Sequence, residues 1–315
     1  MISSTRLVAL AARAALAALV ALAAAPASAQ HDHHAPAAAS APAAPGSTGP
    51  APLDAASAAF VAAVREGTAP FKDLSAAIAA GYRPLGPDMP NMGEHWVNPA
   101  LAIRTEIDPA RPSVLTYIRV DGRPVLTGAA FTRPVRPGER VPPPPVGPGW
   151  HFHAADLDME AYGLSPHGAS HGAEESDRVR LAMLHAWVWA DNPDGVFHDD
   201  HWGLAYLRLG LSLPSRPDAD AANADAAKAL FLLAGGTPYF ARMFVLAGLT
   251  EGERARADAL LDDARRGTEA ALAPARADGA LSEADVAALA APWAAFRESI
   301  HALVGHERAG RFGML

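Results

Sequence analysis

The alternation of apolar and polar residues indicates a β-hairpin near the middle of the chain. Between Val114 and Val120 every second residue is apolar or β-branched, which is the period of a strand. The pair Asp121-Gly122 follows at once, and a second apolar run covers residues 124–131. An Asp-Gly pair between two such runs is typical of a tight hairpin turn. We predict two further strands at residues 150–154 and 181–190.

Helical spacing dominates both flanks of this strand-rich region. Short helices are predicted at residues 54–65 and 71–80, and Gly81 ends the second. Beyond residue 216 the apolar residues recur in steps of three and four, as in the stripe Val286, Leu289, Trp293, Phe296, Ile300 and Leu303. The fold class expected is α+β. An antiparallel sheet domain with short N-terminal helices (residues 53–215) is followed by a C-terminal helical subdomain (residues 216–310).

Residues 1–29 have the parts of a secretory signal peptide. Arg6 and Arg13 supply the positive start, residues 14–25 are all Ala, Leu or Val, and Ala27-Ser28-Ala29 has the small-x-small form. A bilayer span needs about 20 apolar residues, so we expect cleavage rather than a stable membrane anchor. Residues 30–52 are predicted to form a disordered Ala/Pro-rich linker. The product is therefore expected in the periplasm or secreted.

Composition narrows the chemistry further. The absence of cysteine excludes a disulfide framework, a thiolate metal site and thiol catalysis. Loss of two arginines with the signal peptide moves the net charge from −8 to about −10, whereas nucleic-acid binding needs a basic surface. A metal cation is a more natural partner than nucleic acid or an anionic membrane. A second copy of the chain or another envelope protein is an alternative partner.

Histidines supply the strongest candidate chemistry. His151 and His153 are two apart on a predicted strand, so both belong to one face and offer two ligands to one metal. His185 lies on the other predicted strand, and its face is expected to carry Met183, Trp187 and Trp189 as well. His95 follows Gly93-Glu94 in what we interpret as a shaped loop. If these four histidines converge, they form one site for a Zn or Cu ion.

Other residues around these histidines allow further hypotheses. Glu94 is the carboxylate beside His95 and is the candidate general base or extra ligand. Met89 and Met92 would favour copper if their sulfur atoms point to His95. A cupin-like arrangement would add a glutamate soon after His153, but Glu160 comes later than that pattern requires. The run His198-Asp199-Asp200-His201 is a competing set of ligands, for which a helix start is the simpler explanation.

Two segments carry a resemblance to known proteins. They are Met92-Gly93-Glu94-His95 with the nearby Asn98-Pro99, and Leu184-His185-Ala186-Trp187-Val188-Trp189 with Asn192-Pro193-Asp194-Gly195-Val196-Phe197. The chain thereby resembles a group of uncharacterised bacterial exported proteins that share Met-Gly-x-His…Asn-Pro and Leu-His-x-Trp-x-Trp…Asn-Pro-x-Gly-x-Phe segments. The resemblance covers about residues 71–210. It implies a shared organisation around His95 and His185, and it implies no activity.

The sequence therefore supports three hypotheses about function. In the first, the four histidines bind a divalent transition metal for storage, sensing or structure in the cell envelope. In the second, three of them hold the metal of a hydrolase or cupin-like enzyme and Glu94 acts as its base. In the third, they are ordinary core residues of an interaction module without a metal. The distance between the histidines separates the third from the others, because metal–nitrogen bonds are near 2 Å.

Overall fold

The computed structural model describes residues 52–104, 106–136, 149–153, 180–214, 221–278, 281–305 and 308–309. The predicted signal peptide and nearly all of the predicted linker lie outside the described residues.

The described strands form one antiparallel six-stranded sheet with the order β1-β2-β3-β4-β6-β5. The strands are β1 (Arg83–Met89), β2 (Gly93–Val97), β3 (Val114–Val120), β4 (Arg123–Val135), β5 (Trp150–His153) and β6 (Arg180–Ala186).

Helices precede the sheet, interrupt it briefly and make up the C-terminal part of the chain. They are α1 (Ala55–Thr68), α2 (Leu74–Ala79), α3 (Pro99–Ala102), α4 (Leu204–Arg208), α5 (Ala221–Phe231), α6 (Thr237–Leu246), α7 (Glu251–Asp278) and α8 (Glu283–Val304). This arrangement confirms the predicted α+β class, with its antiparallel sheet and helical C-terminal region.

The central hairpin forms as its sequence predicts. Asp121 (φ 49°) and Gly122 (φ 75°) both have positive φ, which is the requirement of the type I′ turn that matches strand twist. One irregularity in the pairing of β3 and β4 falls between Thr116 and Tyr117. Such a bulge bends the pair and increases its twist, and it lies in the middle of the sheet.

Strands β1 and β2, at one edge of the sheet, differ from the predictions. Strand β1 was not predicted because its sequence contains Pro84, Gly86 and Pro87. Proline removes a backbone donor and is tolerated on an edge strand, which is where β1 lies. The segment around His95 was predicted to be a loop but is strand β2, paired on one side with β1 and on the other with β3.

Strand β6 ends at Ala186, four residues earlier than predicted. The next residues leave the ladder: the Trp187 N–H donates to Val196, and the N–H groups of Trp189 and Ala190 donate to the carbonyl of Thr127. A Cβ at Gly128 would lie 2.6 Å from the carbonyl oxygen of Ala186. Glycine at this position therefore allows the chain leaving β6 to cross close over β4.

One face of the sheet is covered by the N-terminal helices. Phe60 and Val64 of α1 and Ala77 of α2 pack with apolar residues of the sheet and of the segments beside it, among them Tyr82, Trp96, Leu115, Tyr117, Leu126, Phe131 and Leu184. Trp189 also belongs to this side, because its Nε1 donates to Thr68 Oγ1 at 2.9 Å and Lys72 Nζ lies 3.6 Å from its ring centroid. The expectation that Trp189 shares the face of His185 is therefore wrong.

The C-terminal helices have a core of their own. Trp293 is fully buried on α8, which continues through Pro292. The spacings Thr250-x-x-Glu253 and Ser282-x-x-Asp285 predict capping boxes at two helix starts, and both form. The stretch Ala224–Leu246 is long and apolar enough to span a membrane, but half of it is buried, which is equally typical of a core helix.

A buried ion pair joins the sheet to the helical part. The Arg208 side chain on α4 is completely buried, and its Nη1 and Nη2 donate to the two carboxylate oxygens of Asp88 on β1 at 2.5 and 2.7 Å. Nη2 also donates to the carbonyl of Met89, and the guanidinium lies over the ring of Phe231. A fork-to-fork pair of this kind fixes orientation as well as distance.

Replacement of Arg208 by leucine should lower the free energy of unfolding by about 3 kcal/mol, because it leaves a largely buried carboxylate without its partner. Urea denaturation followed by circular dichroism measures the change. The matched control is Arg265→Leu, because Arg265 is exposed and pairs only within its own helix, so its loss should cost about 0.5 kcal/mol or less. Equal losses in the two variants would contradict a structural role for the buried pair.

Candidate functional site

Three of the predicted ligand histidines lie on one face of the sheet, the face opposite α1 and α2. His95 on β2 pairs with Thr116, and His185 on β6 pairs with Ala130. His151 on β5 pairs with Met183, which is two residues from His185. Since residues two apart share a face and paired residues project together, the pairing registers place His95, His151 and His185 on the same side.

The distance between His95 and His185 shows that the sheet curves toward this face. Strands β2 and β6 are three steps apart in the sheet, which is about 14 Å in a flat sheet. The ring centroids of the two histidines are nevertheless only 5.8 Å apart. Two imidazoles leaning toward each other shorten the gap by several Å, and curvature supplies the rest. The floor between them is made by Val114 and Thr116 on β3 and by the small residues Gly128 and Ala130 on β4.

His185 is the centre of the group. Its ring lies edge-on to His95 and is stacked on His151, with centroids 5.3 Å apart and planes at 21°. His185 is fully buried and His95 nearly so, whereas His151 is only half-buried. The two inner histidines are thus shielded from water, and the edge strand β5 carries the more exposed one.

His153 belongs to the same strand as His151. Its backbone pairs with Leu181 of β6. The described side chains of the site do not include that of His153, so its part in the site stays a prediction.

A loop after β6 closes the group on the other side of His185. Trp187 stacks on His185 with centroids 5.2 Å apart, and His201 meets Trp187 edge-on at the same centroid distance. Trp187 Nε1 donates to the carbonyl of His198, and the N–H of His201 donates to the carbonyl of Asn91 in the β1–β2 turn. The rings of His151, His185, Trp187 and His201 therefore form one continuous series of contacts.

The assignment of Glu94 as general base does not agree with the geometry. Glu94 and His95 are adjacent on a strand and so belong to opposite faces. Both carboxylate oxygens of Glu94 accept from Arg119, at 2.6 and 3.0 Å, and Trp96 Nε1 donates to it from the same side. Glu94 is held in an ion pair away from the histidines.

The methionines near His95 are also placed elsewhere. Met89 is buried in the core of the C-terminal helices, and Met92 packs against that core. The methionine on the histidine face is Met183, which is buried and lies opposite His151. The sequence signal for it was the two-residue spacing from His185, which we noted without assigning Met183 a role.

A second group of ligand atoms lies in the loop after β6. Among the described residues, Asp194, His198 and Asp200 form the one group of three or more carboxylates and histidines whose ligand atoms all lie within 4.8 Å of one another. The hydrogen bond with Asp200 raises the pKa of His198 to about 9 against the opposing effect of burial, and the negative charges of Asp199, Asp200 and Asp194 raise it further. A protonated imidazole donates at both nitrogens and cannot ligate a metal. At neutral pH His198 is therefore protonated and paired with Asp200, and it is not available as a ligand.

Comparisons with known proteins add no name to this geometry: no family model, no curated protein and no solved structure matches the chain.

His201 should make the protein less stable in acid. Burial lowers the pKa of His201 to about 4, although Asp200 and the nearby backbone of Asp191 and Ala190 oppose the shift. Its unfolded pKa is near 6.5, so between these values the unfolded chain binds the extra proton and stability falls as pH falls. Between neutral pH and about pH 4.5 this group alone should remove about 2 kcal/mol from the free energy of unfolding.

The measurement is urea denaturation at several pH values for the unaltered chain and for His201→Phe, which keeps a ring against Trp187. The difference in stability between the two proteins should shrink or reverse as the pH falls, because only the histidine can be protonated. A difference that does not change with pH would contradict a neutral buried His201. The other titrating groups are common to both proteins and cancel in the comparison.

Proposed function

We propose that this protein binds a divalent transition metal, Zn(II) or Cu(II), through His95, His151 and His185, with His153 as a further ligand. The observation that carries the proposal is the convergence of three imidazoles from three different strands, with centroids 5.8 and 5.3 Å from that of His185. Rings that bind one ion through nitrogens at about 2 Å have centroids roughly 5 to 6 Å apart. The role in the cell envelope would be metal binding for storage, sensing or structure.

The competing interpretation is simple packing, because aromatic rings at 4.5 to 7 Å also attract one another. Two features favour a site. The histidines come from β2, β5 and β6 rather than from one segment, and the small residues Gly128 and Ala130 lie on β4 between His95 and His185. An ion would bind when side-chain rotation turns the ring nitrogens toward a common point, and the strands would not need to move.

An enzyme is the second candidate function. The half-buried His151 on the edge strand favours it, since water or a small substrate would approach from that side. Catalytic zinc keeps three protein ligands and one open position, whereas structural zinc has four. Whether His153 binds the ion therefore separates the two functions. Glu94 has no place in this enzyme because Arg119 holds it on the other face.

Metal analysis of the untagged protein tests the proposal. The protein is equilibrated with Zn(II) or Cu(II), freed of excess metal by gel filtration and measured by mass spectrometry. We expect one tightly held ion per chain, lost in His185→Gln, because His185 is the ligand that contacts both others. All variants carry alanine at His31, His33 and His34, so that the histidine-rich segment near the N-terminus does not contribute metal.

The matched control is His198→Ala, which removes the loop group of Asp194, His198 and Asp200 and leaves the sheet histidines intact. It should keep the ion. An ion that persists in a folded His185→Gln protein, or that is lost only in His198→Ala, would contradict the proposal. No bound metal in the unaltered protein would leave the packing interpretation in its place.

A further inference from the structure

The histidine face also carries a sulfur atom. Met183 is buried, with 9% of its surface exposed, and lies in strand β6 two residues before His185. It is therefore on the same face as His185 and one strand period away, roughly 7 Å along the strand. Across the ladder it is the direct partner of His151, and side chains of such partners have Cβ atoms about 5 Å apart.

The packing of Met183 directs it toward the floor of the histidine group. Its apolar contacts are Val114 and Ala130, with Val97 at the edge of the same cluster. Ala130 is the register partner of His185, and Val97 is two residues from His95 on β2. Met183 thus packs with the register partner of His185 and with a strand neighbour of His95, and it pairs across the ladder with His151 itself.

The kind of sulfur decides which metal it would bind. A thioether is a soft, neutral donor that favours Cu(I), whereas Zn(II) takes thiolate, imidazole or carboxylate. The chain has no cysteine, so methionine is its only sulfur ligand. Met89 and Met243 are buried in the core of the C-terminal helices. Among the described methionines, Met183 is the one on the histidine face.

We infer that the histidine site is a copper site, in which Met183 supplies a thioether ligand beside the imidazoles of His95, His151 and His185. This inference rests on the metal-binding function proposed above and names the metal. Imidazole binds both oxidation states of copper, and the added thioether stabilises Cu(I) relative to Cu(II). The site would therefore hold Cu(I) more tightly than it holds Zn(II).

The test compares Met183→Leu with the unaltered chain and with Met243→Leu as the matched control. Leucine conserves volume and is usually tolerated in a core, and Met243 is also buried but lies in the helical part. Cu(I) affinity is measured without oxygen by competition with a colorimetric Cu(I) chelator, and Zn(II) affinity with a zinc indicator. X-ray absorption of the copper-loaded protein reports whether sulfur is bound to the metal.

We expect the unaltered protein and Met243→Leu to show a copper–sulfur shell. Met183→Leu should lose that shell and at least about tenfold in Cu(I) affinity, with Zn(II) affinity unchanged. A copper site without a sulfur shell, or a shell and affinity that persist in Met183→Leu, would overturn the inference. In either of those cases metal binding would still depend on His185. Retention of copper by His185→Gln would instead show that the proposed function itself fails.

Discussion

Curvature of the sheet is the constraint on which the rest of the site depends. His95 and His185 are on strands separated by two others, yet their rings nearly touch. A flat sheet would keep them apart whatever their side-chain torsions. The bulge between Thr116 and Tyr117 and the small side of β4 at Gly128 and Ala130 permit the bend. The positions of the histidine rings therefore depend on the bulge, Gly128 and Ala130, whose side chains are not metal ligands.

The two faces of the sheet carry different kinds of side chain. On one face α1 and α2 bury aromatic and aliphatic side chains, and Glu94 is tied to Arg119 there. On the other face the histidines, Trp187 and His201 form a series of ring contacts in a region enclosed by the loop after β6. That loop is anchored at both ends, since Trp187 donates to His198 and His201 donates to Asn91. This series of rings is therefore part of the protein core rather than of its surface.

The sequence predicted the parts of this fold whose pattern is local. The β3–β4 hairpin, the two capping boxes and the stripe on α8 each depend on neighbouring residues, and all three formed as expected. Strand β1 and the early end of β6 did not follow from local pattern, because both depend on tertiary contacts. These are the edge position that tolerates Pro84 and the crossing of the chain over Gly128. The side of Glu94 was missed for a related reason. Assigning His95 to a loop removed the alternation that sends Glu94 to the opposite face.

The three histidines are far apart along the chain and close together in space, and the chain has no cysteine with which to join its strands covalently. An ion held between β2, β5 and β6 would act as a reversible cross-link through the sheet. Binding to the folded state alone adds about 4 kcal/mol of stability when the free ion is a thousandfold above its dissociation constant. Metal supply would then set how long the folded protein survives, in the way that oxidation does for proteins held by disulfides.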